Sequence, residues 1–300
     1  MDPVTHTLTG YALGQFFKKK KGSILLLIGA SLAPDIDYIT RFWGVDVFLR
    51  YHRGITHGVI ALVVIPPILG LIVSMFKKGG FLYHSTLFFI GYAVHLLMDL
   101  TNQYPTRILS PLDWSKYSLG LTFILDPYVV VTLFVVFIFT LKKDAKRVMI
   151  TGFAFVFLFV YVGGKYFLKV RTEDFLRENL DEYHYFLSPL PNDFTRWWFV
   201  TESNGEYKTG VVDILTETVC VVGTYEYNDN EPEIRESKEL ETVKNFLYFA
   251  RFPYPEKRIE GGETVVRWKE LAYSFIPGEH FVARVRFDEK GRATEEGFRF

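Results

Sequence analysis

Four short motifs in the first hundred residues carry the groups that could do chemistry. They are Thr5-His6, Ala33-Pro34-Asp35-Ile36-Asp37, His52-Arg53-Gly54-Ile55-Thr56-His57 and His95-Leu96-Leu97-Met98-Asp99. Neutral imidazole and carboxylate are the ligands of Zn, Mn and Fe sites. The single cysteine, Cys220, rules out a thiolate cluster and an intrachain disulfide framework. His95 and Asp99 stand four apart, so on a helix they share one face and can reach one ion. Asp35 and Asp37 stand two apart and diverge on a regular helix. One is expected to ligate or bridge a metal and the other to orient a histidine from behind. Each motif also has a plain structural reading: a hydrogen-bonded His–Asp pair, a helix-ending turn, a helix start at lipid headgroups.

The elements that must position these groups are membrane helices. A bilayer-spanning helix needs about 20 apolar residues. Residues 55–76, 81–100, 121–141 and 148–168 qualify, the first with Pro66-Pro67 expected to kink it. Residues 4–17 and 23–32 are shorter and read as a helical hairpin around Lys18-Lys19-Lys20-Lys21-Gly22. A cleaved signal peptide is not expected, because the positive charges follow the first apolar segment. Lys18–Lys21, Lys77-Lys78 and Lys142, Lys143, Lys146 and Arg147 fall at alternate turns and share one side. The opposite loops hold Arg41, Arg50, Arg53, Arg107 and Lys116. The positive-inside rule then makes the lysine-rich side cytoplasmic and puts loops 35–54 and 101–120, with everything after Leu168, outside.

Span order brings the motifs together. His6, Asp35, Asp37, His52, His57, His95 and Asp99 all fall at segment ends on the side opposite the lysines. That convergence favours a shared metal site over separate structural uses, since polar groups at membrane depth are costly and mark function. His84 lies at the other end and reads as a packing residue. His184 and His280 have no visible ligand partners. Asp126, near the start of the span at 121, is expected to pair with Arg53 or Arg107 or to join the metal set.

A formal net charge of zero argues against a nucleic-acid partner. It averages two unlike parts: residues 1–168 contain no Glu and carry +8, while residues 169–300 carry −8. The expected fold is mostly α, a multi-pass helical membrane domain (1–168) followed by a small α+β soluble domain (192–300). A partly helical tether (169–191) joins them. Residues 196–202, 207–215 and 218–227 read as strands, with Ser203-Asn204-Gly205 a hairpin turn. A helix capped by Ser237 is expected to run to about 252. Residues 264–276 and 280–288 read as a hairpin, and 297–300 as a strand closing the sheet.

These motifs resemble the YdjM-like inner-membrane proteins, described as LexA-regulated, membrane-bound predicted metal-dependent hydrolases. Pro105-Thr106-Arg107-Ile108-Leu109-Ser110-Pro111 and Asp126-Pro127 extend the likeness, which covers about residues 1–140. The C-terminal domain, with Pro189-Leu190-Pro191 before Trp197-Trp198, looks like that of the longer, Gram-positive-type members. The family in turn is distantly similar to zinc-dependent phospholipase C and P1 nuclease. That likeness implies a metal shell of His6, Asp35 or Asp37, His52 or His57, His95 and Asp99. The phospholipase group also uses a Glu ligand, which residues 1–168 lack, so one or two ions are expected, most simply Zn.

The function these readings favour is a metal-dependent hydrolase of the cell (inner) membrane, acting at its outer surface on a phosphoester or lipid-linked substrate. Asp35 or Asp37 would accept a proton, and Arg53 and Arg107 would hold phosphate. The rivals are a non-catalytic metal-binding scaffold, a transporter-like protein, and an anchor for a soluble domain that binds a protein partner. No phosphate-cradling Gly loop, Gly-x-Ser-x-Gly elbow or Cys-His pair is present, which argues against nucleotide and covalent-nucleophile enzymes.

Overall fold

A computed structural model describes residues 1–18, 22–141, 146–180 and 185–299. Lys19–Lys21, Lys142, Lys143, Glu182, His184 and Phe300 therefore lie outside the described residues. The chain forms two compact units. One comprises Met1–Asp37, Arg53–Lys169 and Pro189–Phe194, the other Tyr38–His52, Val170–Ser188 and Thr195–Phe300.

The first unit begins with helix α1 (Pro3–Gly14), capped by Asp2, whose carboxylate accepts the amides of Val4 and Thr5. It pairs with α2 (Ser23–Leu32) as the expected hairpin. Gly10 and Gly14 allow the approach: a Cβ on Gly10 would stand 2.6 Å from the Leu27 carbonyl oxygen, and one on Gly14 2.8 Å from Ile24 Cα. Such small-xxx-small spacing is how membrane helices come close. After α2 the chain tightens into a 3-10 stretch, Ala33–Trp43.

Helix α4 (Val59–Phe76) starts four residues later than the sequence pattern suggested and stays helical through Pro66 and Pro67. The reason for the late start is local. Residues Ile55–His57 form a separate 3-10 turn, and the Val59 amide is taken by the Ile108 carbonyl at 2.8 Å. Helix α5 (Phe81–Thr101) matches its expected span. Helix α6 (Pro127–Leu141) is six residues shorter than expected, because Leu121 and Thr122 bond back to Thr101 and Gln103 instead of coiling. Helix α7 (Arg147–Leu180) runs through most of the expected tether. Ser23–Trp43, α4, α5 and α7 are long and apolar enough to cross a membrane, and α6 is a shorter apolar helix. The exposed Val63, Leu71, Phe153 and Phe159 suit a hydrocarbon surround.

Asp126 pairs with neither arginine. It caps α6, accepting the amides of Tyr128 (3.1 Å) and Val129 (3.3 Å), and takes the Tyr161 hydroxyl at 2.8 Å. Nearby, Lys165 donates to the Asp193 carbonyl (3.1 Å), and Phe194 meets Tyr128 and Tyr161 edge-on.

The second unit holds α3 (Val45–Tyr51) and two four-stranded antiparallel sheets. The first sheet is β1 (Tyr185–Pro189), β2 (Arg196–Ser203), β3 (Glu206–Asp213) and β4 (Thr218–Glu226), in that order. Asn204 and Gly205, both at positive φ, make the expected hairpin turn between β2 and β3. After α8 (Pro232–Ser237) and α9 (Glu241–Phe249) come β5 (Pro253–Glu260), β6 (Glu263–Glu270), β7 (Val282–Phe287) and β8 (Ala293–Arg299), again in order. Ser237 is not a helix cap. It closes α8, and its hydroxyl accepts the buried Trp268 indole at 2.9 Å. Glu270 is buried and accepts the amides of Arg251, Phe252 and Ala272; burial pushes its carboxyl above the usual range, with those amides opposing.

Helix α3 packs on α9, which makes residues 38–52 part of the C-terminal unit. Buried Asn245 ties them, donating to Asp46 (2.7 Å) and accepting from Arg50 (3.0 Å), whose guanidinium lies over Tyr248. Asn245→Ala should lower the stability of this unit by about 1–3 kcal/mol, because two charged partners lose a buried hydrogen bond. Thermal unfolding followed by tryptophan fluorescence would measure it, since Trp197, Trp198 and Trp268 are buried in the same unit.

Candidate metal centre

Three elements of the first unit bring the motifs together. Helix α5 presents His95 and Asp99 one turn apart, and Tyr92 continues the same polar stripe. The 3-10 stretch after α2 supplies Asp35 and Asp37, and the 3-10 turn Ile55–His57 supplies His57. The backbone at Arg53 turns through φ +58°, a conformation rare outside glycine, and Asp37 fixes it by accepting the Arg53 amide at 3.0 Å.

The ligand atoms converge. His57 Nε2 and His95 Nε2 are 3.1 Å apart. Asp99 Oδ2 lies 3.4 Å from each of them. Asp35 Oδ1 lies 3.5 Å from His57 Nε2 and 3.7 Å from His95 Nε2. A tetrahedral ion with bonds of about 2.0–2.1 Å sets its ligands about 3.3 Å apart. These separations fit such an ion.

Two further observations test the fit. Asp35 Oδ2 and Asp99 Oδ2 are buried and receive no hydrogen bond, although an unsatisfied buried carboxylate oxygen is expensive. The His95 Nδ1 lies 2.6 Å from the Ser31 carbonyl, a contact that places its proton there and leaves Nε2 with a lone pair for a metal. Charge points the same way. Three buried carboxylates, Asp35, Asp37 and Asp99, face one guanidinium and the Met1 amino group, an excess of negative charge that favours a cation. The donor set therefore fits a metal.

Asp37 has a different place from Asp35. Its Oδ2 accepts from the Arg53 amide and the Thr56 hydroxyl (3.0 Å each) and lies 3.3 Å from His57 Nδ1, the nitrogen facing away from the other donors. It is arranged to hold His57 in orientation. Asp37→Asn should weaken metal affinity about 10–100-fold without removing a ligand, measurable by competition with a chromogenic chelator.

The remaining sequence candidates are placed as follows. His6 stacks on His95 (ring centroids 3.7 Å apart) and approaches Asp99 Oδ1 at 3.2 Å, the oxygen also met by Arg53 Nη2 (2.9 Å) and the Met1 amino group. Arg53 is buried, donates to the Tyr104 carbonyl (2.9 Å) and lies over the Tyr104 ring. Arg107 is buried too, its amide bonded to the Arg53 carbonyl at 3.0 Å. His52 belongs to the second unit, where its ring stacks on Phe48 and meets Tyr38 edge-on. His84 packs as expected, buried with Nδ1 2.8 Å from the Ser74 hydroxyl.

Sequence reasoning missed Ser31, Tyr92 and Tyr104. Tyr92, whose hydroxyl bonds the Thr56 carbonyl, lies three residues before His95 on the same helix face, and that spacing was a usable signal. Ser31 acts through its backbone carbonyl, which no side-chain pattern reveals.

Over 146 residues the chain is 30% identical to the Uncharacterized protein YfhP of Bacillus subtilis (strain 168), covering 44% of either chain. The match thus spans less than half the length of that relative. No solved structure matches. Residues 1–170, which contain the whole His–Asp cluster of the first unit, match the family described as YdjM inner membrane protein. The chain is a membrane protein belonging to the YdjM inner membrane protein family.

Proposed function

We propose that this protein is a metal-dependent hydrolase of the membrane, acting on the phosphoester of a lipid or lipid-linked substrate at the outer surface. The observation that carries the reading is the convergence of buried His57, His95 and Asp99 donor atoms at 3.1–3.4 Å, with Asp35 beside them holding an unbonded oxygen. Two histidines and one carboxylate are the ligand set of catalytic zinc sites, which leave one position open. In this reading His57, His95 and Asp99 hold the ion, Zn by preference and Mn or Fe as alternatives. A zinc ion bound there would lower the pKa of its water towards about 7 and polarise a phosphoryl oxygen.

The chain's own groups do the rest. Asp35, the most widely spaced of the four donors, accepts the proton from the attacking water. Asp37 keeps His57 oriented. Arg53, already committed to Asp99 Oδ1, positions that ligand so that Oδ2 faces the ion. Arg107 is kept as the candidate to hold the phosphate on its motif and its charge. His6 supports the outer oxygen of Asp99, and His52 is kept as a candidate on its motif.

One observation favours a second reading, a non-catalytic metal scaffold: if Asp35 also ligates, four protein donors close the shell as structural sites do. Asp35→Asn separates the two. The hydrolase reading expects the variant to keep its metal and to lose at least about 100-fold in turnover of bis(p-nitrophenyl) phosphate or phosphatidylglycerol, the usual scale for a general base. Loss of metal from the variant, with no ester turned over by the wild type, supports the scaffold. Orientation is testable through Cys220, exposed on β4 and the only cysteine in the sequence. A membrane-impermeant maleimide should label it in intact cells and not label Cys220→Ser; protection would reverse the orientation.

A further inference from the structure

Beside the cluster, the first unit has an apolar cleft of about 300 Å³ between α5 and α7. Val94, Leu97 and Met98 form one wall, and Phe155, Leu158 and Val162 the other. Two hydroxyls reach it, and both have their protons engaged: Thr9 donates to the Thr5 carbonyl (2.8 Å) and Thr101 to the Met98 carbonyl (2.7 Å). Both walls belong to helices long and apolar enough to cross a membrane, so the medium that can enter is hydrocarbon, not water.

The cleft leads to the donor cluster. Met98 in its wall precedes Asp99. Met1, which also lines it, has its amino group on Asp99 and its carbonyl 3.4 Å from Arg53 Nη2. From Val94 to Thr101 the wall runs about 10 Å along α5 and passes the level of Asp99. A chain lying there carries its head group to the carboxylates and histidines. The outer face of α4, by contrast, exposes apolar side chains such as Val63, Ile68 and Leu71.

We propose that this cleft seats one acyl chain of a phospholipid and thereby selects the substrate of the adjoining centre. The substrate part rests on the hydrolase reading, whereas the chain site itself does not.

The test uses the full-length protein in nanodiscs containing phosphatidylglycerol with a diazirine on one acyl chain. After photolysis, peptides covering 94–101 and 155–162 should carry several-fold more label than those covering 63–72 of α4. Leu97→Trp at the exposed rim and Leu158→Trp in the wall should each cut that excess and leave α4 labelling unchanged. In a turnover assay both should raise KM for a long-chain phosphoester about tenfold and leave bis(p-nitrophenyl) phosphate unaffected, because only the chain loses buried apolar contact. Uniform labelling of all lipid-facing helices, or an excess that survives both substitutions, overturns the inference. An excess without turnover of any ester upholds the chain site and sinks the hydrolase reading alone.

Discussion

Asp99→Ala is expected to strip the protein of its metal and to destabilise the first unit by about 3–5 kcal/mol, the cost of removing one partner from a buried ion pair. Asp99 is wholly buried, and its two oxygens serve different neighbours. Oδ2 faces His57 and His95, while Oδ1 meets His6, Arg53 and the Met1 amino group. Removing the carboxylate takes a donor from the proposed metal site and leaves the buried Arg53 guanidinium without its anion. His95→Ala removes another donor of that proposed site but no charge partner of Arg53. It should therefore lose metal with a smaller fall in stability. Metal analysis and thermal unfolding of both variants, in the same detergent, separate the two roles. Equal stability loss would contradict the division of labour between the two oxygens.

Gly10→Leu should also be damaging, without touching a donor atom. A Cβ there meets the Leu27 carbonyl oxygen at 2.6 Å and Ile28 Cα at 2.7 Å, both backbone atoms that cannot rotate away. Helix α1 must then lift off α2, an overpacking cost of about 1–3 kcal/mol. His6 lies one turn before Gly10 and stacks on His95, so the displacement is transmitted to the donor cluster. The variant should unfold at lower temperature and bind metal more weakly. Gly29→Ala on α2 is the control: a Cβ there has nothing within 4 Å, so the change should not destabilise and should gain up to about 1 kcal/mol from the better helix former.

How much of this was legible depended on whether the deciding partners were near in sequence. Helix α5 was, since 21 apolar-rich residues specify their own hydrogen bonds. So was the Asn204-Gly205 turn, whose positive φ values those residues accept. The start of α6 was not, because the apolar residues 121–126 are claimed by the end of α5 and by the Asp126 cap. Strand β5 was missed because Pro253 and Pro255 argue against a strand; its edge position leaves their missing N–H groups unneeded. The placement of residues 38–52 in the C-terminal unit rests on Asp46 and Arg50 meeting Asn245, nearly 200 positions away. No local pattern encodes that.

The site divides in the same way. The types and spacing of His57, His95, Asp35 and Asp99 were readable, and span order brought them to one end. Which of Asp35 and Asp37 takes which of the two expected tasks was not, because that follows from which carboxylate meets Thr56 and the Arg53 amide. Arg53 read as a phosphate holder from its charge, while its geometry commits it to Asp99 and Tyr104.

The most direct test of the central claim is the metal content of the full-length protein, purified in detergent without chelators and measured by inductively coupled plasma mass spectrometry. The account predicts about one divalent ion per chain, retained in Gly29→Ala and absent from His57→Ala and His95→Ala. A wild type that carries no metal and takes up none when offered Zn, Mn or Fe would contradict it, as would an equal content in the histidine variants.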